Sequence, residues 1–468
     1  MTSTFKAGLV IIGGGGAGLA AALTAVEKGC KDVIVLEKRS KLGGTSAMAG
    51  GLFACGSPVQ ERQGIGTDAD YLFKRAMEWA HWTQVDPKIL RAFIGKSGDT
   101  IRWLERKGLE FDLVKLFPEQ PVPVQHNPRG HGARLIQVLT KECREKGVQI
   151  LLDSDVEKIL RGKNGKITDV TAVRDGEDIK ISTQAVIIAT GGFCGNRRLF
   201  RKYFPSSYRG MTLSGLPLAG DGIGLAADVG AAIEDFATAI KEGPRYDLYN
   251  WPLMALEREP ATLWINKNGE RFTDESTGYR VFESVNAVLR QPGQVSYTLL
   301  DSRIRDYCEE NGFMAGFLRN SAPGLEQELQ AETEKGGVRI AGTWGAIADW
   351  IGIDPLTLEK TINEYNACCK KGHDGIFAKS AQYLLPLENP PYYAIRGMVV
   401  LLDTIGGVRI NERMEVLNKD NEPVPGLFAA GVVTSGWESE VYCSELSASA
   451  FGFAVNSGRI AAENAVQY

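Results

Sequence analysis

Residues 8–22 read GLVIIGGGGAGLAAA, an apolar run followed by a glycine cluster and an alanine-rich stretch. The apolar run is typical of a buried strand and the alanines of a helix, so the segment predicts strand, tight turn and helix. Gly13 would permit the turn, Gly15 would leave room for a pyrophosphate, and Gly18 would let the helix pack closely on the strand. The helix N-terminus would then face the phosphates.

A carboxylate follows the next apolar run. Val33 to Leu36 reads VIVL and ends at Glu37, 19 residues after Gly18. An acidic residue at this spacing accepts hydrogen bonds from the adenosine ribose of a bound dinucleotide. The combination predicts a dinucleotide site; the alternative is a glycine-rich turn with a surface glutamate at a strand end.

Three further glycine-bearing segments follow in order. They are residues 38–46 (KRSKLGGTS), 185–192 (AVIIATGG) and 426–431 (GLFAAG). The first is a second glycine turn within reach of the same pyrophosphate, and NAD enzymes do not usually have it. Together with the first glycine turn, these segments resemble the FAD-binding domain of the fumarate reductase and succinate dehydrogenase flavoprotein family.

The resemblance covers nearly the whole chain, because residues 220–222 (GDG), 268–272 (NGERF) and 404–408 (TIGGV) also resemble family landmarks. It implies an α/β fold, in which a Rossmann-like FAD-binding domain of the glutathione-reductase type (GxGxxG) carries an inserted α+β capping domain.

The domain boundaries are predicted from breaks in the pattern. We expect residues 1–236 and 389–468 to form a discontinuous FAD-binding domain and residues 237–388 the capping, substrate domain. The Gly243-Pro244 turn and the Asn389-Pro390-Pro391 breaker mark the two junctions. A cleft between the two domains is the expected substrate site.

The resemblance also implies which residues bind FAD, through backbone groups, hydroxyls and one carboxylate. They are Gly13, Gly15, Gly16, Ala17, Gly18, Glu37, Lys38, Gly43, Gly44, Thr45, Ser46, Gly50, Gly51, Ala189, Thr190, Gly191, Asn196, Asp221, Gly431, Ser447 and Ser449. Membrane-bound family members attach FAD through a histidine shortly after the second glycine turn. Residues 44–51 (GTSAMAGG) contain no histidine, so FAD is predicted to be non-covalent. A capped helix start is the alternative interpretation of Thr45 and Ser46.

Arg280 is the first candidate for the chemistry. Residues 269–284 resemble the fumarate reductase run after G-x-R-F that supplies a proton-donating arginine, with one extra residue before Arg280. An arginine stays protonated, so its role would be a transient relay or a fixed positive charge beside a developing enolate. The alternative is that Arg280 braces the cap by pairing with Glu275 or Asp274.

The residues that grip a C4-dicarboxylate in fumarate reductases are replaced. Leu401, Leu402 and Asp403 stand before the T-I-G-G-V turn, where the family has a histidine. Residues 444–449 read SELSAS where the family has N-R-L-G-G-N. We therefore do not expect a fumarate reductase proper, and favour a ketone, a cyclic or aromatic-derived compound, or a monocarboxylate as substrate.

Three other side chains are weaker candidates. Tyr442 lies in a neighbourhood where ketosteroid dehydrogenases use tyrosines to polarise a ketone, although the register differs; it is a candidate donor or a packed tyrosine. His126 and His131 flank a loop that resembles the segment over the flavin. They are candidate proton shuttles, with surface-loop residues as the favoured alternative.

Composition limits the partners. The chain has 468 residues, 44% hydrophobic and 24% charged, with a net charge of −4, which offers no basic surface for nucleic acid. Its eight cysteines lack C-x-x-C spacing, so no metal site is predicted and reduced thiols in the cytoplasm are expected. We find neither a signal peptide nor an apolar run long enough for a membrane span.

The predicted function is that of an FAD-dependent oxidoreductase exchanging hydride between flavin N5 and a carbon–carbon bond next to a carbonyl. It would reduce an enone or enoate, or desaturate a ketone as a 3-ketosteroid dehydrogenase-like enzyme does. The sequence shows no haem motif and no second dinucleotide motif. The electron donor or acceptor is therefore unidentified, and the alternative is a flavoprotein subunit that needs an electron-transfer partner.

Overall fold

The structure is a computed structural model that describes residues 3–208, 210–216, 218–247, 250–313 and 322–468. Its strands, in chain order, are β1 (Ser3–Lys6), β2 (Leu9–Ile12), β3 (Val33–Leu36), β4 (Leu52–Phe53), β5 (Phe111–Val114), β6 (Gln125–Pro128), β7 (Gln149–Leu151), β8 (Ser154–Arg161), β9 (Ile167–Arg174), β10 (Glu177–Ser182), β11 (Val186–Ile188), β12 (Thr212–Leu213), β13 (Thr238–Arg245), β14 (Leu263–Ile265), β15 (Val295–Asp301), β16 (Val338–Ala341), β17 (Tyr392–Ile405), β18 (Glu415–Leu417) and β19 (Pro423–Ala429).

The α-helices, in chain order, are α1 (Gly16–Glu27), α2 (Pro58–Arg62), α3 (Ala69–Trp79), α4 (Pro87–Glu105), α5 (His131–Glu145), α6 (Arg197–Tyr203), α7 (Asp221–Asp228), α8 (Trp251–Glu257), α9 (Ser284–Leu289), α10 (Ser302–Asn311), α11 (Leu325–Thr333), α12 (Trp344–Ile351), α13 (Pro355–Lys371) and α14 (Ser449–Ala465). Within the described ranges, none of the helices is long and apolar enough to cross a bilayer.

A six-stranded sheet in the order β18-β19-β11-β2-β3-β7 forms the centre of the molecule. Strands β19, β11, β2, β3 and β7 are parallel. Strands β2, β3 and β11 are uninterrupted apolar runs and are fully buried, as expected when both faces of a parallel sheet are covered. Helices α1 and α14 pack together so closely that a Cβ on Gly458 would lie 2.2 Å from the carbonyl oxygen of Ala17.

A second large sheet has the order β12-β17-β15-β14, and β13 and β16 also pair with β17. Strand β17 spans 14 residues and therefore joins strands from distant parts of the chain. A four-stranded sheet (β1-β10-β9-β8) and a three-stranded sheet (β4-β6-β5) complete the architecture.

The buried apolar side chains fall into two clusters. One is built around the central sheet, α1 and α14, and the other around β14, β15, α12 and α13. The predicted α/β class is confirmed as an architecture of mixed sheets and helices. The boundaries at residues 236/237 and 388/389 stay a prediction.

Candidate active site

A cavity of about 490 Å³ lies at the carboxyl ends of the parallel strands. Ile12 and Leu36 end β2 and β3, and Ala189 and Ala430 follow β11 and β19; all four line the cavity. Ligands of open α/β sheets bind in the crevice at this edge. The volume is within the range of small-molecule sites, about 300–1,000 Å³.

The first glycine turn forms one end of the cavity. Gly13 has a positive φ of 109°, and a Cβ there would lie 2.4 Å from the Ala189 carbonyl oxygen. At Gly18 a Cβ would lie only 1.8 Å from the Gly13 oxygen. Both glycines are therefore required for the close packing of turn, strand and helix.

Gly15 differs from its neighbours because it faces open space. The nearest atom to a Cβ built on it is the Gly43 oxygen, 3.8 Å away, and Gly15 itself lines the cavity. Gly15 is the N-cap residue of α1, so no side chain at that position caps the helix. The N–H of the next residue, Gly16, donates a hydrogen bond to Ser46 Oγ at 3.1 Å. A helix N-terminus that opens into a cavity favours an anion such as a pyrophosphate.

Glu37 is held in a fixed orientation beside this turn. Its Oε2 accepts a hydrogen bond from the Gly14 N–H at 2.8 Å, and its Oε1 accepts one from the Arg39 N–H at 2.9 Å. The carboxylate is buried and lines the cavity. Because a carboxylate has about four lone-pair positions, Glu37 still has capacity for ribose hydroxyls.

The outer rim of the cavity is charged. Lys38 lies 3.3 Å from a carboxylate oxygen of Asp155 and 3.3 Å from one of Asp221, and all three residues line the cavity. These groups are half exposed, so the ion pairs contribute little to stability. They connect the end of β3 to β8 and to the first turn of α7.

The later glycine segments complete the wall. The Thr190 hydroxyl is buried without a hydrogen-bond partner in the described part of the chain, and Thr190 lines the cavity next to Gly191. Gly431 approaches Ala17, with 3.1 Å from a built Cβ to the Ala17 side chain, and its N–H donates to Ser457 Oγ. A buried hydroxyl lacking a partner at a cavity wall points to a polar ligand.

Sixteen of the 21 residues predicted to bind FAD line this cavity. The other five are packed in the protein or lie beside it: Gly18, Gly51, Asn196, Ser447 and Ser449. Asn196 caps α6, and Ser447 accepts a hydrogen bond from Gln120. The residue assignments stay predictions, and their placement fits FAD: an open glycine cradle, a helix N-terminus, a fixed carboxylate and an orphan hydroxyl.

The far end of the cavity is formed by β13 and β17. Ile240, Glu242 and Arg245 line it from β13, and Leu402 and Asp403 from β17. The two strands are antiparallel, and Ile240 lies opposite Asp403. This wall was largely missed by the sequence analysis, since no motif marks residues 240–245, and Asp403 was noted only as a departure from the family.

Glu242 is neutralised by two guanidinium groups. Its Oε2 accepts hydrogen bonds from Arg245 and, at 3.0 Å, from Arg258 Nη2. Burial opposes ionisation of Glu242, but the two arginines outweigh it and lower the pKa of this carboxyl below its usual value. Glu242 is therefore an ionised carboxylate that is held between two arginine side chains.

Asp403 has a different environment. It is 6% exposed, and its Oδ1 accepts a hydrogen bond from the Thr404 N–H at 2.7 Å. Burial raises the pKa of Asp403 to about 7, against hydrogen bonds from Thr404 and the Thr45 side chain. The carboxyl group thus titrates near neutrality.

Arg280 does not line the cavity. Its Nη1 lies 3.4 Å from Glu283 Oε1, and its guanidinium carbon lies 4.6 Å from the centre of the Phe117 ring. Burial raises the pKa of Glu283 to about 7. The alternative pairing with Glu275 or Asp274 is wrong.

Those two acids have other roles. Glu275 is fully buried and binds Arg271 and Lys379, and Asp274 caps the short helix Glu275–Tyr279. Both carboxylates already have partners, and Arg280 pairs instead with Glu283, three residues later in the chain.

Tyr442 is buried and also lies off the cavity wall. Its hydroxyl oxygen accepts a hydrogen bond from the Ala450 N–H at 2.7 Å, in the first turn of α14. Its ring contacts Phe282 at a centroid distance of 4.5 Å. Because Phe282 follows Arg280 by two residues, this contact brings the two candidate catalytic segments together.

The prediction for His126 as a surface-loop residue is wrong. His126 lies on β6, which pairs with β4 and β5 and buries it. Its ring nitrogens lie 2.6 Å from Ser57 Oγ and 3.0 Å from the Val124 oxygen. Burial lowers the pKa of His126 to about 4, which does not suit a proton shuttle near pH 7. His131 is exposed at the start of α5.

Comparisons with known proteins agree with this architecture. The model of a family described as FAD binding domain matches residues 8–440. A vinyl phenol reductase of Lactiplantibacillus plantarum is 30% identical over 481 residues, covering 98% of this chain and 96% of that protein.

Two solved structures are similar over the whole chain. The open conformation of a flavocytochrome c3 fumarate reductase has a TM-score of 0.78 and 27% identity, covering 99% of this chain and 78% of that one. A 3-ketosteroid delta1-dehydrogenase from Sterolibacterium denitrificans has a TM-score of 0.82 and 18% identity, with 100% of both chains covered. The second likeness shows the fold alone.

Proposed function

Since the chain belongs to the FAD binding domain family and is an FAD-dependent oxidoreductase, we propose that it reduces an activated carbon–carbon double bond. FAD, after reduction by a separate electron donor, would supply a hydride from N5 to one carbon of the double bond, and a proton, ultimately from water, would add to the other. The GxGxxG turn, the N-terminus of α1 and Glu37 would hold the dinucleotide half in a Rossmann-like arrangement. The β13 and β17 wall would hold the substrate.

One observation carries this proposal: a single cavity runs from the glycine turn to the β13 and β17 wall. The substrate end and the cofactor end therefore belong to the same cavity.

The charges at the substrate end favour a neutral or monoanionic compound. Glu242 and Asp403 line this end together with Arg245. A C4-dicarboxylate needs cationic partners at both ends, whereas the one arginine here, Arg245, is already paired with Glu242, and the Asp403 carboxyl group offers no positive charge. The vinyl phenol reductase relative supports an aromatic substrate with a conjugated double bond.

Arg280 and Tyr442 remain our proposed catalytic residues. Neither side chain lines the cavity, so each would act where the bound substrate extends beyond this wall: Arg280 as a fixed positive charge, and Tyr442 as a hydrogen-bond donor to the substrate oxygen. The contact between Phe282 and Tyr442 supports the proximity of these two groups.

We further propose a cytoplasmic enzyme with non-covalent FAD that receives its electrons from a separate donor. All eight cysteines lie in described residues and are free thiols, which supports a reducing compartment. The wall of the cavity, as far as the structure describes it, contains no histidine, cysteine or tyrosine, which supports non-covalent binding.

The test is anaerobic. The purified holoenzyme is photoreduced and mixed with 4-vinylphenol, a cyclic enone, an acrylate-type monocarboxylate and fumarate while the oxidised flavin band is followed. We expect rapid reoxidation by a neutral or monoanionic compound and slow reoxidation by fumarate. Reoxidation by fumarate alone would contradict the proposal. Bleaching of the oxidised flavin band by a saturated cyclic ketone would show that the enzyme desaturates its substrate instead of reducing it.

A further inference from the structure

Asp403 is a buried acid at the wall of the substrate end of the cavity. It is 6% exposed and stands on β17 next to Leu402, opposite Ile240 of β13. A buried carboxyl group depends on hydrogen bonds for its stability. The acid therefore has a strong preference for a polar partner.

The protein supplies only part of the hydrogen bonding that a carboxyl group accepts. The Thr404 N–H donates a hydrogen bond to Oδ1 at 2.7 Å, and the nearby Thr45 side chain favours the ionised form, although burial outweighs it and raises the pKa. A carboxylate has about four lone-pair positions. Asp403 consequently keeps acceptor capacity on the side that faces the cavity.

The Thr404 hydrogen bond and a close backbone contact restrain the acid. A Cβ on Gly192 would lie 2.3 Å from Asp403 Oδ1, so the backbone after β11 closes one side of the carboxyl group. Asp403 also lines the cavity. A group held in this manner is pre-organised for a ligand, which reduces the entropy lost on binding.

The neighbouring acid does not have this capacity. Glu242 is bound by both Arg245 and Arg258, and its charge is compensated within that cluster. Within the described residues, no lysine or arginine forms an ion pair with Asp403, whose neighbours are Thr404 and Thr45. An anionic substrate group would thus meet repulsion at Asp403, whereas a hydroxyl group would donate to it.

Building on the proposed function, we infer that Asp403 recognises the phenolic hydroxyl of a neutral aromatic substrate by accepting its hydrogen bond. This makes Asp403 a specificity-determining residue: it selects a phenol against the matching ether and against a second carboxylate. The titration of Asp403 near neutrality agrees with a carboxyl group that shares a proton with a weakly acidic hydroxyl.

The test measures binding without turnover, so that it does not depend on the reductase activity. The oxidised holoenzyme is titrated by calorimetry with 4-ethylphenol and with 4-ethylanisole, in which a methyl ether replaces the hydroxyl donor. We expect the phenol to bind at least about tenfold more tightly, as a hydrogen bond to a charged group implies. Asp403→Leu should abolish this preference.

Two further variants keep the result interpretable. Asp403→Asn conserves shape and the acceptor for Thr404, and should reduce the preference while raising KM for 4-vinylphenol more than it changes kcat. Asp301→Asn is the matched control, because Asp301 is equally buried but lies off the cavity, on backbone N–H groups of residues 388 and 389. It should lower stability without changing the preference.

The outcomes separate the two proposals. If both Asp403 variants retain FAD and the full preference for the phenol, the inference is overturned, whatever the enzyme reduces. If the wild type shows the preference and loses it with Asp403, the inference stands even where no tested double bond reoxidises the flavin. In that case the lack of flavin reoxidation contradicts only the proposed reaction, and the role of Asp403 in binding the phenol is unaffected.

Discussion

At Gly15 the main chain borders the cavity at a point where any other residue would place carbon atoms inside it. The protein itself would tolerate a side chain there, since φ is −82° and the nearest atom to a Cβ lies 3.8 Å away. We expect Gly15→Val to fold as apoprotein, with the small loss of stability expected when valine replaces an N-cap glycine, and to weaken FAD binding at least about tenfold. Flavin absorbance after purification and titration of the apoprotein with FAD measure this effect.

The matched control is Gly95→Ala in α4. Gly95 is exposed, has nothing within 4 Å of a built Cβ and has no positive φ. Helix propensity predicts a gain of up to about 1 kcal/mol in stability, with FAD content unchanged. Full FAD occupancy in Gly15→Val would show that the glycine turn does not contact the cofactor.

His126 predicts a dependence of stability on pH. Its pKa is about 4 in the folded protein and 6.5 when unperturbed, so the unfolded chain binds more protons between these values. Its contribution is complete above about pH 6.5 and is lost as the pH falls towards 4. From pH 7 to pH 5 the loss amounts to about 2 kcal/mol.

Urea unfolding of wild type and His126→Asn at the two pH values measures this contribution. The variant should be less stable at pH 7, because it alters the contact with Ser57, but should lose less stability between pH 7 and pH 5. His373→Gln, at an exposed histidine, is the control and should follow the wild type. Parallel pH profiles for wild type and His126→Asn would refute the assignment.

At the residue scale, the sequence predicted what local geometry determines. Gly13 and Gly18 were identified correctly as positions where a side chain would collide with the backbone. His126 could not be placed, because its burial depends on pairing with β4, which lies far away in the sequence, as well as with β5. Asp403 was identified only as a departure, since its burial depends on the pairing of β17 with β13, which is distant in the sequence.

Among the elements, α14 depends on a side chain from the loop before it. The Tyr442 hydroxyl accepts the Ala450 N–H in the first turn of the helix, where backbone donors lack partners within the helix. Tyr442→Phe should therefore cost about 1 kcal/mol of unfolding free energy while FAD remains bound. Chemical denaturation measures the loss, and Tyr71→Phe on the exposed face of α3 is the control.

The same variant tests the proposed catalytic role of Tyr442. We expect turnover per folded enzyme to fall, because Tyr442→Phe removes the proton that would polarise a substrate oxygen. A normal kcat together with reduced stability would leave Tyr442 as a cap of α14 and remove it from the mechanism.

The wall formed by β13 and β17 shows why elements are harder to predict than turns. Residues 238–245 pair with residues 400–405 and with Met398, with register shifts after Ile240 and after Glu242. Each shift changes which side chains face the cavity. The presence of Glu242 and Arg245 at the substrate end therefore follows from long-range pairing, which local periodicity does not encode.

For the molecule as a whole, non-covalent binding predicts that FAD is released when the protein is denatured. The described wall of the cavity offers no histidine, cysteine or tyrosine for attachment. Precipitation of the holoenzyme with trichloroacetic acid should leave all of the flavin in the supernatant and none in the pellet. Flavin fluorescence on the denatured protein band would instead establish a covalent bond.

The cavity also couples distant parts of the chain, because its wall includes Gly13 near the start, Glu242 in the middle and Ala454 near the end. FAD that binds only the folded protein stabilises it by RT ln(1 + [FAD]/Kd), about 2.7 kcal/mol at a hundredfold excess over Kd. We expect the apoprotein to unfold at a lower temperature than the holoenzyme, with a single transition that rises with FAD concentration. Calorimetry of the apoprotein at several FAD concentrations measures the shift, with buffer that lacks FAD as the control. A transition that divides into two, of which only one responds to FAD, would show that the cap and the central sheet unfold independently and that FAD contacts only one of them.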